Sequence, residues 1–174
     1  AQTARLGGDP DAWGLVGLLH DFDYERWPDP KDHPFPGAEI LESLGYPEWF
    51  RRAILSHANY SGVSRTTDLE RALYASDELS GFLTACALVM PHKSLHEVKV
   101  SSVRKRLKDK AFARGVHRED VEGGAAELGI ELDALIAFTL EALCAVAADL
   151  GLEGTPPPAA APPPAASTSP PDGT

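Results

Sequence analysis

The sequence predicts an all-α fold, on three observations. Apolar residues recur at helical spacing in one segment after another. Cap residues, glycines and prolines bracket those segments. No alternation of apolar and polar residues runs longer than Val98 to Val100. Asp9 followed by Pro10 is a cap residue with proline at the first helical position, and Ala12 to His20 then reads as a short apolar helix. From Phe22 to Pro36 the periodicity stops, and Pro28, Pro30, Pro34 and Pro36 leave room only for a structured loop. Gly37 to Leu44 is a second short helix, ended by Gly45. Pro47 opens a third that runs to about His57, with Phe50, Ile54 and Leu55 on one stripe. After the polar stretch Asn59 to Thr67, Asp68 is expected to cap a long helix through about Val89, stopped by Pro91. Val100 to Lys108, Glu119 to Leu128 and Leu132 to Leu150 complete the helical reading.

The organisation is one domain and a tail. Of the 174 residues, those from Glu153 onward carry eight of the fifteen prolines and almost no charge. Such a segment buries nothing, so residues 153–174 are expected to be an extended, disordered Pro/Ala-rich tail. Residues 1–152 are the right size for a single core. Sixteen basic residues against 26 acidic ones give a net charge of −10, which repels phosphate backbones and argues against nucleic-acid binding. The longest uncharged apolar run, Leu79 to His92, falls well short of the roughly 20 residues a membrane helix needs. No basic-then-apolar leader opens the chain, so a cytoplasmic location is expected. Cys86 and Cys144 sit in apolar helical patterns and read as small buried hydrophobes of a reducing compartment.

The candidate chemistry lies in the first half. His20, Asp21, His33, His57 and Asp77 supply imidazole nitrogens and carboxylate oxygens, the atoms that hold one or two divalent ions. Consecutive helical residues point about 100° apart, so His20 and Asp21 share an ion only if their helix ends there. With its two oxygens Asp21 can bridge two ions. Asp77 falls in mid-helix beside Leu73, Ala75 and Gly81, where a carboxylate needs a cation or a set of donors. A metal supplies one answer and an arginine, Arg71 or Arg52, the other. Glu78 is expected to point away into solvent. His92, His96 and His117 read as structural.

Four segments resemble, in order, the motifs of the HD-domain superfamily of metal-dependent phosphohydrolases. They are Gly17-Leu18-Leu19-His20-Asp21-Phe22-Asp23-Tyr24, His33-Pro34 leading into Gly37-Ala38-Glu39-Ile40-Leu41, Ala53-Ile54-Leu55-Ser56-His57, and Ala72-Leu73-Tyr74-Ala75-Ser76-Asp77-Glu78-Leu79. The resemblance implies an HD-type helical bundle. It implies that His20, Asp21 and Asp77 belong to a primary metal set and that His33 and His57 add the pair of the two-metal type. The family's first histidine precedes the His-Asp pair, and no histidine precedes His20 here. Ala1 to Gly8 resembles the end of that earlier helix, so an N-terminally truncated domain is expected.

The function expected from this resemblance is hydrolysis of a nucleotide or other small phosphoester by a mono- or dinuclear site of manganese, magnesium, iron or another divalent ion. Asp21 would be the catalytic bridge. Asp23 reads either as the residue that orients the water or takes its proton, or as a loop-capping carboxylate. Seven of the sixteen basic residues fall between Lys99 and Arg114. Within that run Lys108 and Lys110 are the candidates for substrate phosphate, the alternative being a solvated helix face. Two other functions stay open. One is a di-iron oxygenase of the same superfamily, in which Tyr24 and Glu25 close a substrate loop. The other is a non-catalytic regulatory module, motivated by the absent first histidine.

Overall fold

The computed structural model describes residues 6–154, so residues 155–174 of the expected tail and residues 1–5 of the expected N-terminal helix end lie outside that range. Among the described residues there are seven α-helices and no strand: α1 (Pro10–Leu19), α2 (Phe35–Ser43), α3 (Glu48–Ser56), α4 (Asp68–Leu88), α5 (Val100–Leu107), α6 (Arg118–Glu127) and α7 (Leu132–Cys144). The boundaries follow local chemistry. The Asp9 side chain accepts from the Asp11 N–H at the start of α1. Helix α2 ends in a pair of bonds, Gly45 N–H to Glu42 O and Tyr46 N–H to Leu41 O, with Gly45 at φ 83°, a conformation glycine takes at no steric cost.

Two expectations about helix ends are corrected. Thr67, not Asp68, caps α4: its hydroxyl accepts from the Glu70 N–H while the Glu70 carboxylate takes the Thr67 N–H. The last helix stops at Cys144 rather than Leu150, because the ladder tightens to Val146 N–H on Leu143 O and Ala147 N–H on Cys144 O. The chain then turns at Gly151 and returns Leu152 to the core, where its carbonyl receives the Leu95 N–H.

Helix α4 is the spine. Its first turns give Leu69 and Leu73 to a small core with Val16, Leu41, Phe50, Ala53 and Ile54 from α1, α2 and α3. Its later turns give Ala75, Leu79, Phe82, Leu83 and Cys86 to a larger core with Val103, Val121, Ala125, Leu135 and Ile136. Both cysteines are free, Cys86 buried and Cys144 half-buried. Residues Tyr74 to Gly81 pass between the two cores, and the cleft described below opens there. Arg118 fixes the loop before α6 by donating to the carbonyls of Asp109, Phe112, Ala113 and Val116.

The buried Glu70 joins α3 to α4. Its Oε2 accepts from the backbone of Thr66 (2.6 Å) and Thr67 (2.9 Å), and its Oε1 lies 3.0 Å from Arg52 Nε. Glu70→Ala removes a cap and leaves those donors unmet, which is expected to cost about 2 kcal/mol in a urea titration with an unchanged slope.

Candidate metal centre

Helix α1 ends at Leu19, so His20 and Asp21 stand at its C-terminal turn and can face one point. His20 Nδ1 donates to Gly17 O at 2.7 Å, within the last turn of its own helix. His57 stands in the same way at the end of α3, with Nδ1 donating to Ile54 O at 2.5 Å. His33 precedes α2, almost fully buried at 2% exposure, and its Nδ1 donates to Asp23 Oδ1 at 2.8 Å. Three imidazoles thus have Nδ1–H fixed by an oxygen and Nε2 left as a lone-pair donor, the orientation that metal-ligating histidines need.

The Nε2 atoms converge on carboxylates. Asp21 Oδ1 is 3.1 Å from His33 Nε2 and 3.3 Å from His57 Nε2, and those two nitrogens are 3.2 Å apart. The other oxygen of Asp21, Oδ2, is 3.5 Å from His20 Nε2, which in turn is 3.4 Å from Asp77 Oδ1. Although buried, His20 Nε2 makes no hydrogen bond. Two three-residue groups result, Asp21 with His33 and His57, and His20 with Asp21 and Asp77. Within each group the ligand atoms lie within 4.8 Å of one another. Nitrogen and oxygen donors of this kind, with a buried lone pair unsatisfied, fit a divalent transition-metal ion in each. Arg71 pairs with Asp68 and Arg52 with Glu70, so neither arginine takes Asp77.

The charge distribution points the same way. Burial works to lower the His20 pKa, but Asp77, Asp21 and the Gly17 carbonyl outweigh it and carry the imidazole up to about 9. Asp21, which burial would raise, is held below the usual carboxylate range by His57, His20 and His33. In the metal-free protein a proton on His20 takes the cation's place. Because the folded pKa lies above the unfolded 6.5, that stabilisation is complete below pH 6.5 and is lost as pH rises towards 9, by at most about 3 kcal/mol. Urea midpoints measured in a chelator at pH 6 and pH 9 should show this fall. Metal affinity should rise across the same window, since the ion displaces the proton.

Of the two readings of Asp23, its geometry is that of the capping carboxylate. It is buried at 3% exposure, with Oδ1 accepting from His33 and Oδ2 accepting from the Gly37 N–H at 2.9 Å, and it does not line the cleft. Glycine is required at 37, where a Cβ would lie 2.7 Å from the Asp23 carboxyl.

Asp21, His33, His57 and Asp77 floor a cleft of about 550 Å³, walled by Tyr24, Asn59, Tyr60, Tyr74, Glu78, His117 and Asp120, while His20 lines a separate hollow on the other side of Asp77. Burial and the nearby carboxylates push the Tyr60 phenol up to about 12, so it stays a hydrogen-bond donor. Lys108 and Lys110 are not among the lining residues. Lys110 instead lines a neighbouring depression with Arg114 and Arg118, and the two hollows share His117 and Asp120. Glu78 does not point into solvent as expected. Its Oε1 is 2.7 Å from His117 Nδ1 and its Oε2 accepts the His117 N–H at 3.2 Å, so His117 is also part of the wall. Sequence reasoning missed Glu78, His117, Asp120, Tyr74 and Asn59. A partial signal existed in α4, where Tyr74, Asp77, Glu78 and Gly81 follow the i, i+3, i+4, i+7 spacing of one helix face.

A helical bundle with a His/Asp cluster between its cores defines a class of metal-binding domain. Residues 2–81 match the family model of the HD domain, so this segment of the chain is an HD domain. That family consists mostly of metal-dependent phosphohydrolases, and the match spans all five clustered ligand positions. No curated protein and no solved structure matches the chain. Among the described residues no helix is long and apolar enough to cross a membrane.

Proposed function

We propose that the chain is a divalent-metal-dependent phosphohydrolase that acts on a small phosphoester at a dinuclear site. The observation that carries this reading is the division of Asp21, with Oδ1 towards His33 and His57 and Oδ2 towards His20 and Asp77. In this reading His20 and Asp77 would hold one ion and His33 and His57 the other, with Asp21 offering an oxygen to each. When bound, the ions supply an activated water and charge to offset the phosphoryl oxygens. The protein's own groups do the rest. Gly17, Ile54 and Asp23 hold the three imidazoles in the tautomer that exposes Nε2, and Asp23 does so from a site sealed against water. Tyr60 offers a donor at the cleft wall.

The test is hydrolysis of p-nitrophenyl phosphate by protein reconstituted with manganese. Turnover that disappears with a chelator and returns with the ion supports the reading. Iron in the purified protein together with oxygen uptake would replace it with the oxygenase, and metal binding without turnover on any substrate would leave the regulatory module.

A further inference from the structure

The cleft wall carries a substrate preference, an inference that rests on the phosphohydrolase reading. No lysine or arginine lines the cleft, although pockets for nucleoside di- and triphosphates rely on such residues to hold the outer phosphates. Besides Asp21 and Asp77, the wall presents two more carboxylates, Glu78 and Asp120. Asp120 is held in place: its Oδ1 accepts from Asn59 Nδ2 at 2.7 Å and from Tyr74 OH at 3.0 Å. No donor among the described residues reaches its Oδ2. Arg65, which touches this network at Asn59 and Tyr74, is already engaged. It binds Glu127, Ser56 O and Asn59 Oδ1, and its guanidinium lies 3.7 Å from the centre of the Tyr74 ring. His117 is the one wall residue outside the metal ligands that can carry positive charge, and it is paired with Glu78, so that pair is at most neutral.

We infer that the cleft takes a phosphate monoester whose organic part presents hydroxyl or ammonium hydrogens to Asp120 and Glu78 and bears no second phosphate. The bound ions supply the positive charge for the single phosphoryl group. Hydroxyl and ammonium groups donate to carboxylate oxygens, whereas a second phosphate inside the cleft would face Asp120 and Glu78, the basic side chains Lys110, Arg114 and Arg118 lining the adjoining hollow instead.

The experiment compares fructose 6-phosphate with fructose 1,6-bisphosphate on manganese-loaded full-length protein, with p-nitrophenyl phosphate as reference. Both kcat/KM and calorimetric affinity are measured. The expected result is a kcat/KM for the bisphosphate at least about 100-fold lower, the size of one close like-charge pair in a partly wet site. Asp120→Lys should close most of that gap, and Glu78→Gln, a change of charge with little change of shape, should narrow it. Equal or better use of the bisphosphate while the reference is hydrolysed would overturn the inference and leave the hydrolase reading standing. If none of the three compounds is hydrolysed, the hydrolase reading fails, and the affinities decide: tighter binding of the bisphosphate overturns the preference, and tighter binding of the monophosphate keeps it for a binding module.

Discussion

Replacing Asp21 by asparagine is expected to lower metal content from two ions per chain to one or none and to lower kcat at least about 1000-fold, or about 4 kcal/mol of barrier. The change preserves shape and removes the negative charge. Asp21 is the one residue common to the two metal groups, so no other single substitution reaches both. Asp77→Asn, by contrast, touches only the group with His20 and should leave the ion of His33 and His57 in place. Elemental analysis of the two variants side by side checks the difference. The folded state should survive both changes, because the carboxylates are partly exposed and the packed cores lie to either side.

The largest effect on stability is expected at Gly124. Helices α4 and α6 meet there so closely that a Cβ on residue 124 would stand 2.5 Å from Ala75 Cα and 2.9 Å from Ala75 Cβ. Backbone cannot move aside as a flexible side-chain end can. Gly124→Ala should therefore force the helices apart and cost about 3 kcal/mol, the upper range for overpacking, partly offset by the better helix propensity of alanine. For a domain of this size that lowers Tm by roughly 10 °C. Because α6 carries Asp120 and follows His117, the same variant should loosen the cleft wall while leaving the candidate ligands that follow α1 and α3 in place. Calorimetry and metal content measured together separate the two consequences.

How much was legible in the sequence follows from how local each feature is. His20, Asp21 and Asp77 were marked by the resemblance of their segments to one family, since the residues alone left Asp77 open between a cation and an arginine. The role of Asp23 was not legible, because it depends on the chain folding back ten residues later to set His33 against it. Glu78 and His117 are 39 residues apart, and Asn59 and Asp120 are 61 apart. Those pairs exist only through the packing of α4 against α6, which no local pattern encodes. The run containing Lys108 and Lys110 advertised positive charge but not the direction it faces, and the cleft is lined without it. The sequence carries the last helix too far because Ala145, Ala147, Ala148 and Leu150 are good helix formers, and the return of Leu152 to the core overrides that propensity.

The central claim is that one carboxylate joins two ions, and the most direct test is electron paramagnetic resonance on the unaltered chain loaded with manganese. Two ions sharing Asp21 should give about two manganese per chain and an exchange-coupled spectrum. A single uncoupled six-line signal at full loading, or no bound manganese, would contradict it.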